Sequence, residues 1–220
     1  MMNFDNARFI TANFSGLQGW KTVPAGAVLF LSALWMNAQT GRTRNLLPIV
    51  IGFGVVVAGY LLIGRYYRRT YGRVEPAGRT PMKDVVFAVL ILAVVIGALR
   101  LDDGTLRALM AGKAAQFPVS MYALLFGSVV LLDYIRNCRR AGVKNLGIFP
   151  AGWACAGGII LSAFLPLLGD GPAALLGFRS VLFLVFAIDG ILILLYSMAG
   201  HRFLARSLSG ALEAERGQPV

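Results

Sequence analysis

Residues 85–99 read VVFAVLILAVVIGAL, fifteen consecutive positions with no charge and no alternation of apolar with polar residues. A membrane-spanning strand would alternate the two over about ten residues. A helix satisfies its own backbone hydrogen bonds inside lipid. The run therefore predicts a helix, with Asp84 as its N-cap. Over residues 84–101 it has about the length of the roughly 20 residues that a bilayer requires.

Five further runs resemble it, which gives six spans near 22–39, 46–64, 84–101, 117–135, 146–168 and 181–199, followed by a cytoplasmic tail, 200–220. Pro24, Pro48, Pro118 and Pro150 fall near the starts of their runs, where a helix tolerates proline. Trp20 and Trp35 lie near the two ends of the first run, as interfacial aromatics do. The start of the chain is polar and aromatic rather than basic, so the first run is read as a retained helix and not as a signal peptide. The expected fold is an all-α bundle of six transmembrane helices, a single membrane domain covering residues 1–220.

Composition agrees. Hydrophobic residues make up 57% of the 220 and charged residues 14%, against about 25% charged in a soluble domain. Mean hydropathy is +0.70. The net charge of +11 would suggest nucleic acid in a soluble protein. Here it is explained by the positive-inside rule, and no nucleic-acid partner is expected.

The placement of that charge sets the orientation. Arg8 and Lys21 precede the first span. Arg65, Arg68, Arg69, Arg73, Arg79 and Lys83 fill the gap after the second. Arg136, Arg139, Arg140 and Lys144 follow the fourth, and Arg202, Arg206 and Arg216 the sixth. The intervening gaps hold only Arg42, Arg44, Arg100, Arg107, Lys113 and Arg179. Fifteen basic residues against six put both termini in the cytoplasm of a bacterial inner membrane.

Smaller features follow from the same frame. Ile10, Phe14 and Leu17 form one apolar stripe, consistent with a helix on the membrane surface or with a partly ordered tail. Leu204, Leu208 and Leu212 predict an amphipathic extension of the last span. Leu61-Leu62, Leu131-Leu132 and Leu194-Leu195 are each followed by an arginine seven residues later, which is a faint threefold repeat or simply the ordinary chemistry of cytoplasmic helix ends. Four-spaced small pairs (Gly54 and Ala58, Ala93 and Gly97, Gly152 and Ala156, Ala154 and Gly158) suit close helix packing. Cys138 and Cys155 have no metal spacing and face no oxidising compartment, so no disulfide is expected.

Candidate sites are few. Asp189 is the only ionisable residue near the middle of a span, where a charge costs about 2.5–3.5 kcal/mol on insertion scales. It is expected to face the glycines of the fifth span, as a functional group or as a partner of Tyr, Ser or a backbone carbonyl. The run Arg65-Tyr66-Tyr67-Arg68-Arg69-Thr70-Tyr71-Gly72-Arg73 combines guanidinium and phenol groups suited to anionic headgroups or an acidic partner. Asp133 with Arg136 reads as a helix salt bridge. Asp102-Asp103-Gly104 lacks the further ligands of a metal motif. His201, the only histidine, reads as interfacial, and one histidine cannot supply a paired haem or zinc site. No GxSxG elbow, Walker loop or GxGxxG occurs.

No catalytic residue, metal or cofactor is therefore assigned. Two classes of function remain. One is a transporter- or channel-like protein for a small solute or ion centred on Asp189, self-associating because six helices enclose little. The other is a non-catalytic subunit, scaffold or sensor that binds a partner or anionic lipid through its basic loops.

Overall fold

The computed structural model describes residue 10 and residues 17–38, 47–71, 97, 101–102, 119–140 and 149–216, some of them by their backbone alone. All regular structure among them is helical. Among the described residues there are five long helices: α1 (Val23–Ala38), α2 (Leu47–Tyr71), α3 (Met121–Arg140), α4 (Pro150–Ser162) and, after the short α5 (Gly171–Leu175), α6 (Val181–Arg216). Short 3-10 turns precede α1 at Gly19–Lys21 and follow α4 at Leu165–Leu168.

Helix α6 is the centre, and glycines set how closely its neighbours approach. A Cβ on Gly190 would lie 2.7 Å from the Phe30 nitrogen, and one on Gly26 would lie 2.9 Å from the Gly190 carbonyl oxygen. Only glycine at both positions lets the α1 and α6 backbones cross this near. On the other side, Gly158 of α4 receives the Leu192 side chain. Outer layers repeat the device: Val28 fits Gly52 of α2, Pro24 fits Gly59, Ile160 fits Gly127 of α3, and the Tyr134 ring covers Gly152. These pairings run antiparallel and order the helices α2, α1, α6, α4, α3.

Of the expected small pairs, Gly152 and Gly158 are packing positions, whereas Gly54 and Gly97 have nothing within 4 Å of a would-be Cβ. The α1–α6 crossing at Gly26 and Gly190 belongs to none of the expected pairs.

One helical stretch among the described residues, Val181–Ser207, is long and apolar enough to cross a membrane; Gly54–Tyr67 and Pro150–Ser162 are shorter apolar helices. Helix α1 lies within the stretch 22–39 expected as the first span, and helices α2, α3, α4 and α6 differ in bounds from the stretches expected for them. Helix α2 runs on to Tyr71 rather than ending at 64, because Tyr67 is still fully buried. Helix α3 starts at Met121, after the cap Ser120, and continues to Arg140 because Tyr134 and Cys138 remain core residues one turn apart.

The expected fifth span, 146–168, is corrected most. Helix α4 holds 13 residues, about 20 Å, and stops at Ser162. Pro166 explains the stop: its ring would clash with the Ser162 carbonyl four residues earlier, and it has no N–H to donate. The chain makes a 3-10 turn and leaves it through Gly169 at φ 69°, a left-handed conformation that favours glycine. The sixth helix passes residue 199 and takes in most of the expected tail, to Arg216. The third span, residues 84–101, lies outside the described residues except for its end.

Polar side chains close the ends of the helices. Asp102 Oδ1 accepts from the Met121 N–H (2.8 Å), and Oδ2 accepts from the Ser120 hydroxyl (2.6 Å) and the Tyr122 N–H (3.2 Å). A carboxylate there meets the free N–H groups and positive end of α3. Asp170 does the same for α6, accepting from the Val181 N–H at 3.0 Å. Asn37 ties the end of α1 to the turn before α6, donating to the Gly177 carbonyl (3.0 Å) and accepting from the Arg179 N–H (2.7 Å).

Ile10 and Leu17 do not lie on a surface but join Tyr67, Tyr134, Cys138, Phe149 and Leu204 in one core cluster. For these two residues that corrects the expectation of a membrane-surface stripe or loose tail; Phe14 lies outside the described residues.

Candidate functional site

Asp189 sits eight residues into α6, about 12 Å from its start, and is fully buried. It does not face lipid. Its neighbours come from the broken end of α4. Ser162, the last residue of that helix, places its Oγ 2.7 Å from Asp189 Oδ1, and the same Oγ lies 2.7 Å from the Ile159 carbonyl oxygen. Asp189 Oδ2 is buried with no hydrogen-bond partner among the described residues. The surroundings are apolar and aromatic: Cys155, Ile159, Val185 and Phe186 share a core cluster with Tyr122. The Tyr122 ring stacks on Phe126 at 5.6 Å and meets Phe186 edge-on at 5.0 Å.

The helix break after Ser162 creates this site. Had α4 continued through residue 168, Ser162 would be an interior helix residue. Because the helix ends there, the Ala163 carbonyl is free to accept from the Ser120 N–H at 2.8 Å. The Asp102–Ser120 cap of α3 thus adjoins the Ser162–Asp189 pair through one peptide. The expected facing to glycines of the fifth span is replaced by this serine, and Gly158 faces Leu192 instead.

A second polar group lies toward the other end of α6. The Tyr67 hydroxyl stands 2.8 Å from His201 Nδ1, and Trp20 meets the imidazole edge-on at 5.6 Å. One turn away along α6, Ser197 Oγ stands 2.6 Å from Thr22 Oγ1. Gly19 presses on the Ser197 carbonyl so closely that a Cβ would overlap it. Gln18 is buried beside this turn, its Oε1 without a partner. Lys21 Nζ lies 5.3 Å over the Tyr60 ring, within cation–π range.

This group divides the basic and aromatic run. Arg65, Tyr66 and Arg69 are exposed on α2. Tyr67 is fully buried, so it is not a headgroup or partner contact but the hydrogen-bond partner of His201. Arg68 and Tyr71 lie on α2 with side chains outside the described residues, and Arg73 lies outside them altogether. His201, read from sequence as merely interfacial, is an internal contact of the bundle. Nothing in the sequence spacing joins residues 134 positions apart.

Cys138 and Cys155 are free and buried. Among the described residues no group of three His, Cys, Asp or Glu side chains could hold a metal ion. The chain matches no protein-family model, no curated protein and no solved structure.

Proposed function

We propose that the chain is a multi-pass protein of the bacterial inner membrane, six helices with both termini cytoplasmic, that passes a small solute or ion at Asp189. The exterior of the bundle supports the membrane placement. Leu61, Leu62, Leu132, Leu161 and Leu195 are all more than half exposed, while Asp189 and Ser162 are inside. Large apolar side chains arranged outward in this number suit lipid rather than water.

The observation that carries the transport reading is the half-satisfied carboxyl of Asp189. A buried acceptor left without a partner costs about 1–3 kcal/mol, and an intramembrane carboxyl is a functional group by default. The short α4, ending beside that carboxyl, supports it further, because interrupted helices often frame transport sites. Self-association would supply the enclosure that six helices lack.

The test is proton flux into liposomes containing the purified chain, read with an entrapped pH dye. Asp189→Asn should abolish flux while leaving the protein folded. Flux unchanged by that substitution would sink the transport role.

A second reading rests on the exposed Arg65, Tyr66 and Arg69 of α2, which form a face for a partner protein in a larger membrane complex. If Arg65→Ala/Arg69→Ala releases a co-purifying subunit while Asp189→Asn changes nothing, this reading replaces the first.

A further inference from the structure

We infer that the cavity between the first turn of α4 and the C-terminal part of α6 binds the phosphodiester headgroup of an anionic phospholipid. The inference rests on the membrane placement proposed above but not on any role of Asp189.

The cavity has a volume of about 540 Å³ and is open to the outside. Arg202, Arg206 and Ser207 supply its polar lining, and Phe149, Phe203 and Ala199 are among its apolar walls. None of the described residues that line it is acidic. Arg202 and Arg206 are four apart on one helix, so they share a face, and both are exposed. A guanidinium pairs with phosphate oxygens through two parallel hydrogen bonds. Pro150 and Ala151 of the α4 first turn also line the cavity, so the positive end of that helix adds to the field. The Phe149 and Phe203 rings, 5.3 Å apart, form an apolar wall that a free phosphate would not use.

What selects a lipid is the surface that leads away from the cavity. Ile191, Leu195 and Met198 are exposed on α6 at 44%, 57% and 50%. With Arg202 they fall at helical positions i, i+4, i+7 and i+11, one continuous stripe. From Ile191 to Arg202 the stripe rises about 16 Å, close to the roughly 15 Å of one leaflet's hydrocarbon. An acyl chain along the stripe brings its phosphate to Arg202. The long apolar stretch of α6 ends at Ser207, which puts the arginines where headgroups lie. A zwitterionic lipid would bring a cationic ammonium to the same two arginines and lose by repulsion.

The test is native mass spectrometry of the full chain from nanodiscs, with phosphatidylglycerol or phosphatidylcholine added. Phosphatidylglycerol adducts should exceed phosphatidylcholine adducts and fall about tenfold in Arg202→Gln/Arg206→Gln, the loss of roughly one charged hydrogen bond. Arg179→Gln, exposed just before the opposite end of α6, should leave them unchanged. In the wild-type chain, a photoactivatable phosphatidylglycerol should label residues 149–151 or 199–207. Equal binding of both lipids, undiminished adducts in Arg202→Gln/Arg206→Gln, displacement by inorganic phosphate alone, or labelling elsewhere would each overturn the site. Carbonate extraction of the chain from membranes would instead defeat the membrane placement, and this site with it.

Discussion

Ser162 carries one hydroxyl hydrogen, yet its Oγ lies 2.7 Å from both Asp189 Oδ1 and the Ile159 carbonyl oxygen. The hydroxyl donates to both acceptors as a shared, three-centre hydrogen bond. An asparagine keeps an acceptor at the same place through its Oδ1. Asp189→Asn should therefore unfold within about 1 kcal/mol of wild type, whereas Ser162→Ala, which leaves the Asp189 carboxyl with no partner, should cost about 1–3 kcal/mol. Unfolding in mixed detergent micelles measures both. A destabilised Asp189→Asn with a neutral Ser162→Ala would contradict the arrangement.

The glycines of the bundle should divide into two classes. At Gly190 a Cβ would meet the Phe30 nitrogen at 2.7 Å, and neither backbone can step aside without parting α1 from α6. Gly190→Ala should cost about 1–3 kcal/mol, the usual range for overpacking. At Gly157 a Cβ would have nothing within 4 Å. Gly157→Ala should be neutral or stabilise by up to about 1 kcal/mol through helix propensity. The same unfolding measurement compares them, and equal effects would mean that the α1–α6 crossing is looser than the structure has it.

Tyr67 and His201 join α2 to α6 through a 2.8 Å contact between hydroxyl and Nδ1, with their rings edge-on at 6.2 Å. Removing the phenolic oxygen in Tyr67→Phe should cost about 0.5–1.5 kcal/mol. The imidazole also packs against Trp20, so His201→Ala should cost more than Tyr67→Phe. A double-mutant cycle isolates the pair. Its coupling should be of the order of the hydrogen bond, and a coupling near zero would show that the two side chains only happen to be adjacent.

These pairs mark how far the sequence could be read. Periodicity and length made the helices legible, since an unbroken apolar run has one solution in lipid. Asp189 stood out because one charge in such a run is expensive. Its partner did not, because Ser162 becomes a helix terminus only through Pro166, and a serine inside a long apolar run carries no signal by itself. Asp102 and Asp170 were illegible as caps for a related reason. A capping residue is usually read next to its helix, and these two lie 19 and 11 residues before the N–H groups they accept from. The basic run at 65–73 was read as one surface, although a helix cannot expose consecutive residues alike. Tyr66 and Tyr67 point to different sides at about 100° per residue, so Tyr67 faces the core while Tyr66 is exposed.

The cysteines offer a check on the interior that no functional assay is needed to read. Cys138 and Cys155 are both buried, at 0% and 4% exposure. Burial pushes the Cys138 thiol above its ordinary pKa, partly offset by the Tyr134 hydroxyl contact. The reactive species is the thiolate, so at neutral pH the Cys138 site should be both inaccessible and protonated. Maleimide added to the folded protein in detergent should label neither cysteine over the time that fully labels both after denaturation. Raising the pH above the ordinary thiol value should leave Cys138 unlabelled for as long as the fold persists. Rapid labelling of Cys138 in the folded protein would place the ends of α3 and α6 further apart than their shared cluster with Tyr134, Phe149 and Leu204 allows.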